Sequence, residues 1–118
     1  MKNLAPQITR QRLLIEGYYD IKVDKKIIKK YFDTITKSLG LRAYGSPIIH
    51  CADGMGKDIN SGYDAFVPLI DSGIYLGAWT KERFLSIVIY TCKRFDNKKA
   101  IEATKAFWKI KTIESKAF

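Results

Sequence analysis

Residues 12–19 (Arg-Leu-Leu-Ile-Glu-Gly-Tyr-Tyr) form an apolar run with a single carboxylate in its middle, and the pattern predicts a first strand. Asp24 then stands as a helix N-cap. Ile27, Ile28, Tyr31, Phe32, Ile35 and Leu39 follow at helical spacing, and Gly40 supplies the stop. A second strand is expected over 41–51, interrupted by Gly45-Ser46-Pro47. Residues 52–62, with three glycines and two aspartates, read as a loop.

The second half changes period. Strands are predicted over 63–70 and 74–79, joined by a turn at Asp71-Ser72-Gly73. After a polar turn at 80–83, residues 84–91 are the most strongly β-branched and aromatic stretch of the chain. Asp96 or Asn97 caps a second helix. Its inner face comprises Ala100, Ile101, Phe107 and Trp108, with Thr104 as its polar member. The short tail can add an edge strand. The order βαβ, a run of strands, then α, predicts an α+β fold: a two-layer sandwich, mostly antiparallel, with two helices on one face. The other face must then be wet or meet a second copy. Because strand residues such as 87–90 are apolar on both sides, a homodimer is expected.

Composition narrows the class. A chain of 118 residues with 47% hydrophobic residues can bury one core, as a single domain over 1–118. No apolar stretch approaches the ~18 residues of a membrane span, and no secretion signal precedes the first strand. Cys51 and Cys92 make neither a metal pattern nor a disulfide frame, so a cytoplasmic protein with free thiols and no metal is expected. The net charge of +9 suggests nucleic acid. Against this, the lysines lie along solvated helix faces at 25–30 and 98–109, with no aromatic-interleaved basic stripe, and a nucleic-acid partner is not favoured.

Individual residues carry modest signals. Gly54-Met55-Gly56-Lys57 is similar to a phosphate cradle but lacks the Gly-Lys-Ser/Thr ending, so a plain surface loop is the expected reading. His50, at a predicted strand end, has no second histidine with which to hold zinc. Glu16 sits among apolar neighbours, where a carboxylate tends to bind a cation or an amine; equally, it can face solvent, as can Asp64. Asp71-Ser72-Gly73 alone is an ordinary hairpin, and Cys92 alone reads as a small buried residue.

Taken in order, four of these pieces resemble the S-adenosylmethionine decarboxylase family of small pyruvoyl enzymes. Leu14-Ile15-Glu16-Gly17 is similar to the apolar-Glu-Gly of the family's first strand. Asp64-Ala65-Phe66-Val67 leading to Asp71-Ser72 resembles the strand that ends at the family's Glu-Ser self-cleavage site. Trp79 stands where the bacterial enzymes have the Trp of a His-Thr-Trp-Pro-Glu segment. Tyr90-Thr91-Cys92 resembles the family's Thr-Cys and falls 20 residues after Ser72. The resemblance implies a proenzyme cut between Asp71 and Ser72 into 1–71 (β chain) and 72–118 (α chain). Ser72 would become a covalent pyruvoyl group, which forms a Schiff base with the substrate amine. Cys92 would be the proton donor, and Glu16, Trp79 and Glu82 would bind substrate. The implied reaction is decarboxylation of S-adenosylmethionine for spermidine and polyamine biosynthesis.

Two positions depart from the family pattern. Gly77 replaces the family His, five residues after the serine, that removes a proton during self-cleavage; His50 is the histidine left to substitute. Lys81 replaces the ribose-binding Glu and has no acceptor for hydroxyls, with Glu82 next to it, and Thr80 replaces the Pro. Three alternatives follow: a pyruvoyl decarboxylase of a basic amino acid (ornithine or arginine), an uncleaved relative that binds S-adenosylmethionine without catalysis, and a basic nucleic-acid module.

Overall fold

The computed structural model describes residues 1–53 and 58–118, so Gly54-Met55-Gly56-Lys57 lies outside the described residues. The elements are β1 (Gln11–Tyr18), α1 (Lys25–Leu39), β2 (Ile48–Ala52), β3 (Gly62–Leu69), β4 (Ser72–Trp79), β5 (Phe84–Thr91), α2 (Asn97–Trp108) and β6 (Ile113–Ala117), with a short 3-10 turn at Asp58–Asn60. The strands form one antiparallel sheet in the order β2-β3-β4-β5-β1-β6. This is the α+β two-layer architecture the residue pattern predicts.

Local chemistry places both helices. Asp24 accepts the Ile27 N–H at 2.8 Å and opens α1; Gly40, at φ 66°, closes it, a left-handed position that glycine tolerates. Asp96 opens α2 by accepting the Lys99 N–H. The helices meet through Tyr31, whose hydroxyl bonds Thr104 Oγ1 at 2.8 Å inside the core, and whose ring packs on Phe107 and Trp108. Under them lie Leu13, Ile15, Ile74, Leu76, Leu85, Ile87 and Ile89, every second residue of the central strands, all essentially buried. On α2 the buried residues are Ala100, Thr104 and Trp108, while Ile101 and Phe107 are half-buried.

Two expectations change. The second strand is shorter than 41–51: Pro47 cannot donate to a ladder, and before Ile48 the chain makes a single bridge, Ala43 to Leu69. The turn at the β3–β4 hairpin is Ile70-Asp71, so Ser72 already belongs to β4, opposite Leu69 and Thr91. The face of the sheet away from the helices carries Glu16, Tyr18, Phe66, Tyr75 and Tyr90, all half-buried or exposed. No helix among the described residues is long and apolar enough to cross a membrane.

Candidate active site

The hairpin tip between β3 and β4 is held from both sides. The Asp71 carbonyl accepts the Cys92 main-chain N–H at 2.9 Å. The Asp71 carboxylate accepts the Arg42 N–H at 3.0 Å and the Arg42 guanidinium at 3.0 Å, and the Arg42 carbonyl accepts the Ile70 N–H at 2.8 Å. Asp71 is buried, and the hydrogen bonds from Arg42, aided by the charge of Lys93 and opposed by burial, hold its carboxyl below the usual range. Beyond the end of β5, Lys93 donates from Nζ to the Gly40 carbonyl at 2.8 Å, tying this corner to the end of α1.

Ser72 has φ 125°, a region that a side chain bearing Cβ seldom enters, and such a residue stores about 1–3 kcal/mol. It is half-buried and lines a cavity of about 320 Å³ with Phe66, Gly73, Tyr75, Val88 and Tyr90. Strand parity explains those neighbours: Phe66, Gly73, Tyr75, Val88 and Tyr90 all point to the face the helices leave open. Gly73 has no room for a side chain, because a Cβ there would lie 2.5 Å from the Phe66 ring. Cys92 is exposed, not the small buried residue its sequence context suggests, since it lies one residue past the end of β5.

Asp71, Ser72 and Cys92 are therefore brought together; the other sequence candidates form a second group. Trp79 and Glu82 share a cavity of about 360 Å³ with Tyr18, Ile59, Asn60 and Phe84. Glu16 lies one pair further along the same face, accepting the Ser86 hydroxyl at 2.8 Å. Seven residues of β4 separate Ser72 from Trp79, about 23 Å at the rise of a strand. In a single chain these residues do not meet Ser72.

The register also locates Gly77 and His50. Glu16, Ser86, Gly77, Asp64 and His50 form one row across five strands of the open face. Gly77 lies five residues from Ser72, about 17 Å, and His50 lies two strands further across. His50 sits exposed in the middle of β2, not at its end, and is out of reach of Ser72 of its own chain. As a processing base within one chain it is corrected by this geometry. Above Gly77 the space is occupied: a Cβ would lie 3.0 Å from the Tyr75 hydroxyl oxygen and 3.1 Å from the Trp79 ring. Tyr75 donates to Asp64 Oδ1 at 3.1 Å, and burial, then that carboxylate, push its hydroxyl above the ordinary range.

Sequence reasoning missed Arg42 and the cavity lining of Phe66, Tyr75 and Tyr90. The aromatic residues were open to discovery through strand alternation. Arg42 carries no local signal, because its partner is 29 residues away. Among the described residues no group of three or more His, Cys, Asp or Glu could hold a metal ion.

Comparison with known proteins bears on the fold and the family. No curated protein matches the sequence significantly. Among solved structures, the fold is similar to the adenosylmethionine decarboxylase from Aquifex aeolicus VF5. The TM-score is 0.71 at 18% identity, covering 94% of this chain and 89% of that one. The model of the S-adenosylmethionine decarboxylase family matches residues 13–118. The chain belongs to the S-adenosylmethionine decarboxylase family.

Proposed function

We propose that the chain is the proenzyme of a pyruvoyl-dependent S-adenosylmethionine decarboxylase that cuts itself between Asp71 and Ser72. The observation that carries this reading is the Asp71 carbonyl, which accepts the Cys92 N–H beside a Ser72 backbone at φ 125°. A fixed N–H on a carbonyl stabilises the negative charge that grows on its oxygen when a nucleophile adds. Ser72 Oγ attacks the Asp71 carbonyl carbon, the C–N bond breaks, and an ester replaces the peptide. Loss of the Ser72 Cα proton then expels the Asp71 carboxylate and leaves dehydroalanine. Water converts this to a pyruvoyl group with release of ammonia. Rupture of the C–N bond also relieves the backbone strain at Ser72.

Position 72 suits such a group: it opens on a mainly apolar groove of the uncovered face, which a second copy seated there would close off from water. Once formed, the ketone supplies an electron sink for the pair left behind when carbon dioxide departs. Cys92, next to the cut, donates the proton that replaces the carboxylate. Glu16 faces the substrate's cationic part, Glu82 beside Lys81 takes the place of the ribose-binding carboxylate, and Trp79, Tyr18 and Phe84 offer aromatic surface for a flat or cationic group.

These substrate residues lie far from Ser72 in the same chain. A homodimer through the open aromatic face would set one copy's Ser72 against the other's Glu16, Trp79 and Glu82. Tyr18, Phe66, Tyr75 and Tyr90, each 40% or more exposed there, support that assembly. The product would serve polyamine synthesis, and the soluble enzyme would be cytoplasmic.

A second reading rests on Gly77. With no histidine near Ser72 among the described residues, an uncut chain that binds S-adenosylmethionine without catalysis is its natural competitor. Hydroxylamine and borohydride decide between them. A self-cut enzyme carries a carbonyl sensitive to both and releases carbon dioxide from S-adenosylmethionine; an uncut binder shows neither. Release from ornithine or arginine instead would move the substrate to a basic amino acid, consistent with Lys81 replacing the family Glu.

A further inference from the structure

We infer that Arg42 is a positioning residue for self-cleavage, fixing the Asp71 side chain so that the Asp71 carbonyl stays on the Cys92 N–H. The inference rests on the self-cutting reading and deepens it.

Arg42 lies on the segment between α1 and β2, far from the hairpin in sequence. It nonetheless grips both residues of the turn: its main-chain N–H and its guanidinium bind the Asp71 carboxylate, and its carbonyl accepts the Ile70 N–H. The Arg42 side chain is 62% exposed and that of Asp71 is 4% exposed. An ion pair with one partner so exposed contributes only modestly to global stability. Its geometric effect is larger, because a planar fork plus a main-chain bond removes rotation of the Asp71 side chain. With the carboxylate fixed on one side of the turn and the carbonyl on Cys92 on the other, the peptide to be cut has one orientation. Arg42 touches no reacting atom in this scheme; it acts through Asp71.

The same pair retains a role after cleavage. Asp71 becomes the C-terminus of the 1–71 piece, and Arg42 and Lys93 are the cations that face it, from the lead into β2 and the segment after β5. The Cys92 thiol is the remaining titratable group close to this pair. The clamp keeps the new end of one piece beside the new end of the other.

The test follows conversion of freshly made precursor to two pieces on a denaturing gel, with intact mass, for wild type, Arg42→Lys and Arg42→Ala. A misplaced reacting group can slow a step by about 100-fold, so Arg42→Ala is expected to slow cleavage by about 10- to 100-fold. Arg42→Lys, which keeps the charge and loses the fork, should fall between. The acid limb of the cleavage rate provides a readout that loose packing would not move. Protonating Asp71 breaks the pair with Arg42, so wild-type cleavage should slow as pH falls through the depressed carboxyl range, and Arg42→Ala, with no pair left to break, should lose that limb. Melting of Ser72→Ala with and without Arg42→Ala checks that the fold survives. Cleavage of Arg42→Ala at the wild-type rate, or with the acid limb retained, overturns the clamp while leaving self-cutting intact. A wild-type precursor that never cuts overturns both.

Discussion

The main-chain N–H of Cys92 donates to the carbonyl oxygen of Asp71 at 2.9 Å, joining the end of β5 to the turn that precedes β4. Ser72 pairs with Thr91 in the same register, so Ser72 and Cys92, the two residues to which the proposal gives chemistry, stand at one corner of the sheet. Twenty residues of β4, turn and β5 separate them in sequence, the span of one hairpin. In the proposed reaction Cys92 would thus have two separable roles: its N–H binds the carbonyl to be cut, and its thiol returns a proton to substrate.

That separation predicts the behaviour of Cys92→Ala. The main-chain donor survives the substitution, so the precursor should still cut. Decarboxylation should fall by about 10²–10⁴, the usual effect of losing a general acid. Measuring cleavage on a gel and carbon dioxide release on the same sample checks both.

The Ser72 backbone predicts a ranking of two uncuttable variants. Glycine enters φ 125° without clash, whereas alanine keeps the strain. Ser72→Gly should therefore unfold at a higher denaturant midpoint than Ser72→Ala, by about 1 kcal/mol after allowance for glycine's larger unfolded-state entropy.

Asp71 predicts an acid-side stability difference. Its folded carboxyl lies below the ordinary range, so its ionised form stabilises the fold above about pH 4 and that contribution is lost as pH falls through the depressed value. In a Ser72→Ala background, adding Asp71→Asn should lower the melting temperature at neutral pH. The gap between the two variants should narrow steadily below about pH 4.

Tyr31 and Thr104 form the polar contact between the helices. Tyr31→Phe leaves the Thr104 hydroxyl buried without that partner and should cost about 1–3 kcal/mol in chemical unfolding. Adding Thr104→Val should recover part of the loss.

The sequence made some of this legible and hid the rest for physical reasons. Asp24, Gly40 and Asp96 announce helix ends because capping is local chemistry, and all three act as predicted. Residues 84–91 form a strand with those bounds because β-branched and aromatic residues suit a half-covered pleat. The limits of the second strand were less clear, since Ala43 contributes one bridge without continuing a ladder. At the site, Ser72 and Cys92 were singled out by the resemblance to the family, to which their 20-residue spacing contributed. The Arg42 clamp, the separation of Trp79 and Glu82 from Ser72, and the filled space over Gly77 depend on register between distant segments, which no local pattern encodes.

The central claim is that the chain cuts itself at Ser72, and intact mass of the purified protein on and off a denaturing gel tests it most directly. Dividing 13.5 kDa in the ratio of 71 to 47 residues gives pieces of about 8 and about 5.4 kDa, the smaller with a blocked, carbonyl-bearing N-terminus. Two such pieces, absent from Ser72→Ala, are the predicted result. A single stable chain of 13.5 kDa that nevertheless decarboxylates S-adenosylmethionine, or that binds it without turnover, would contradict the account.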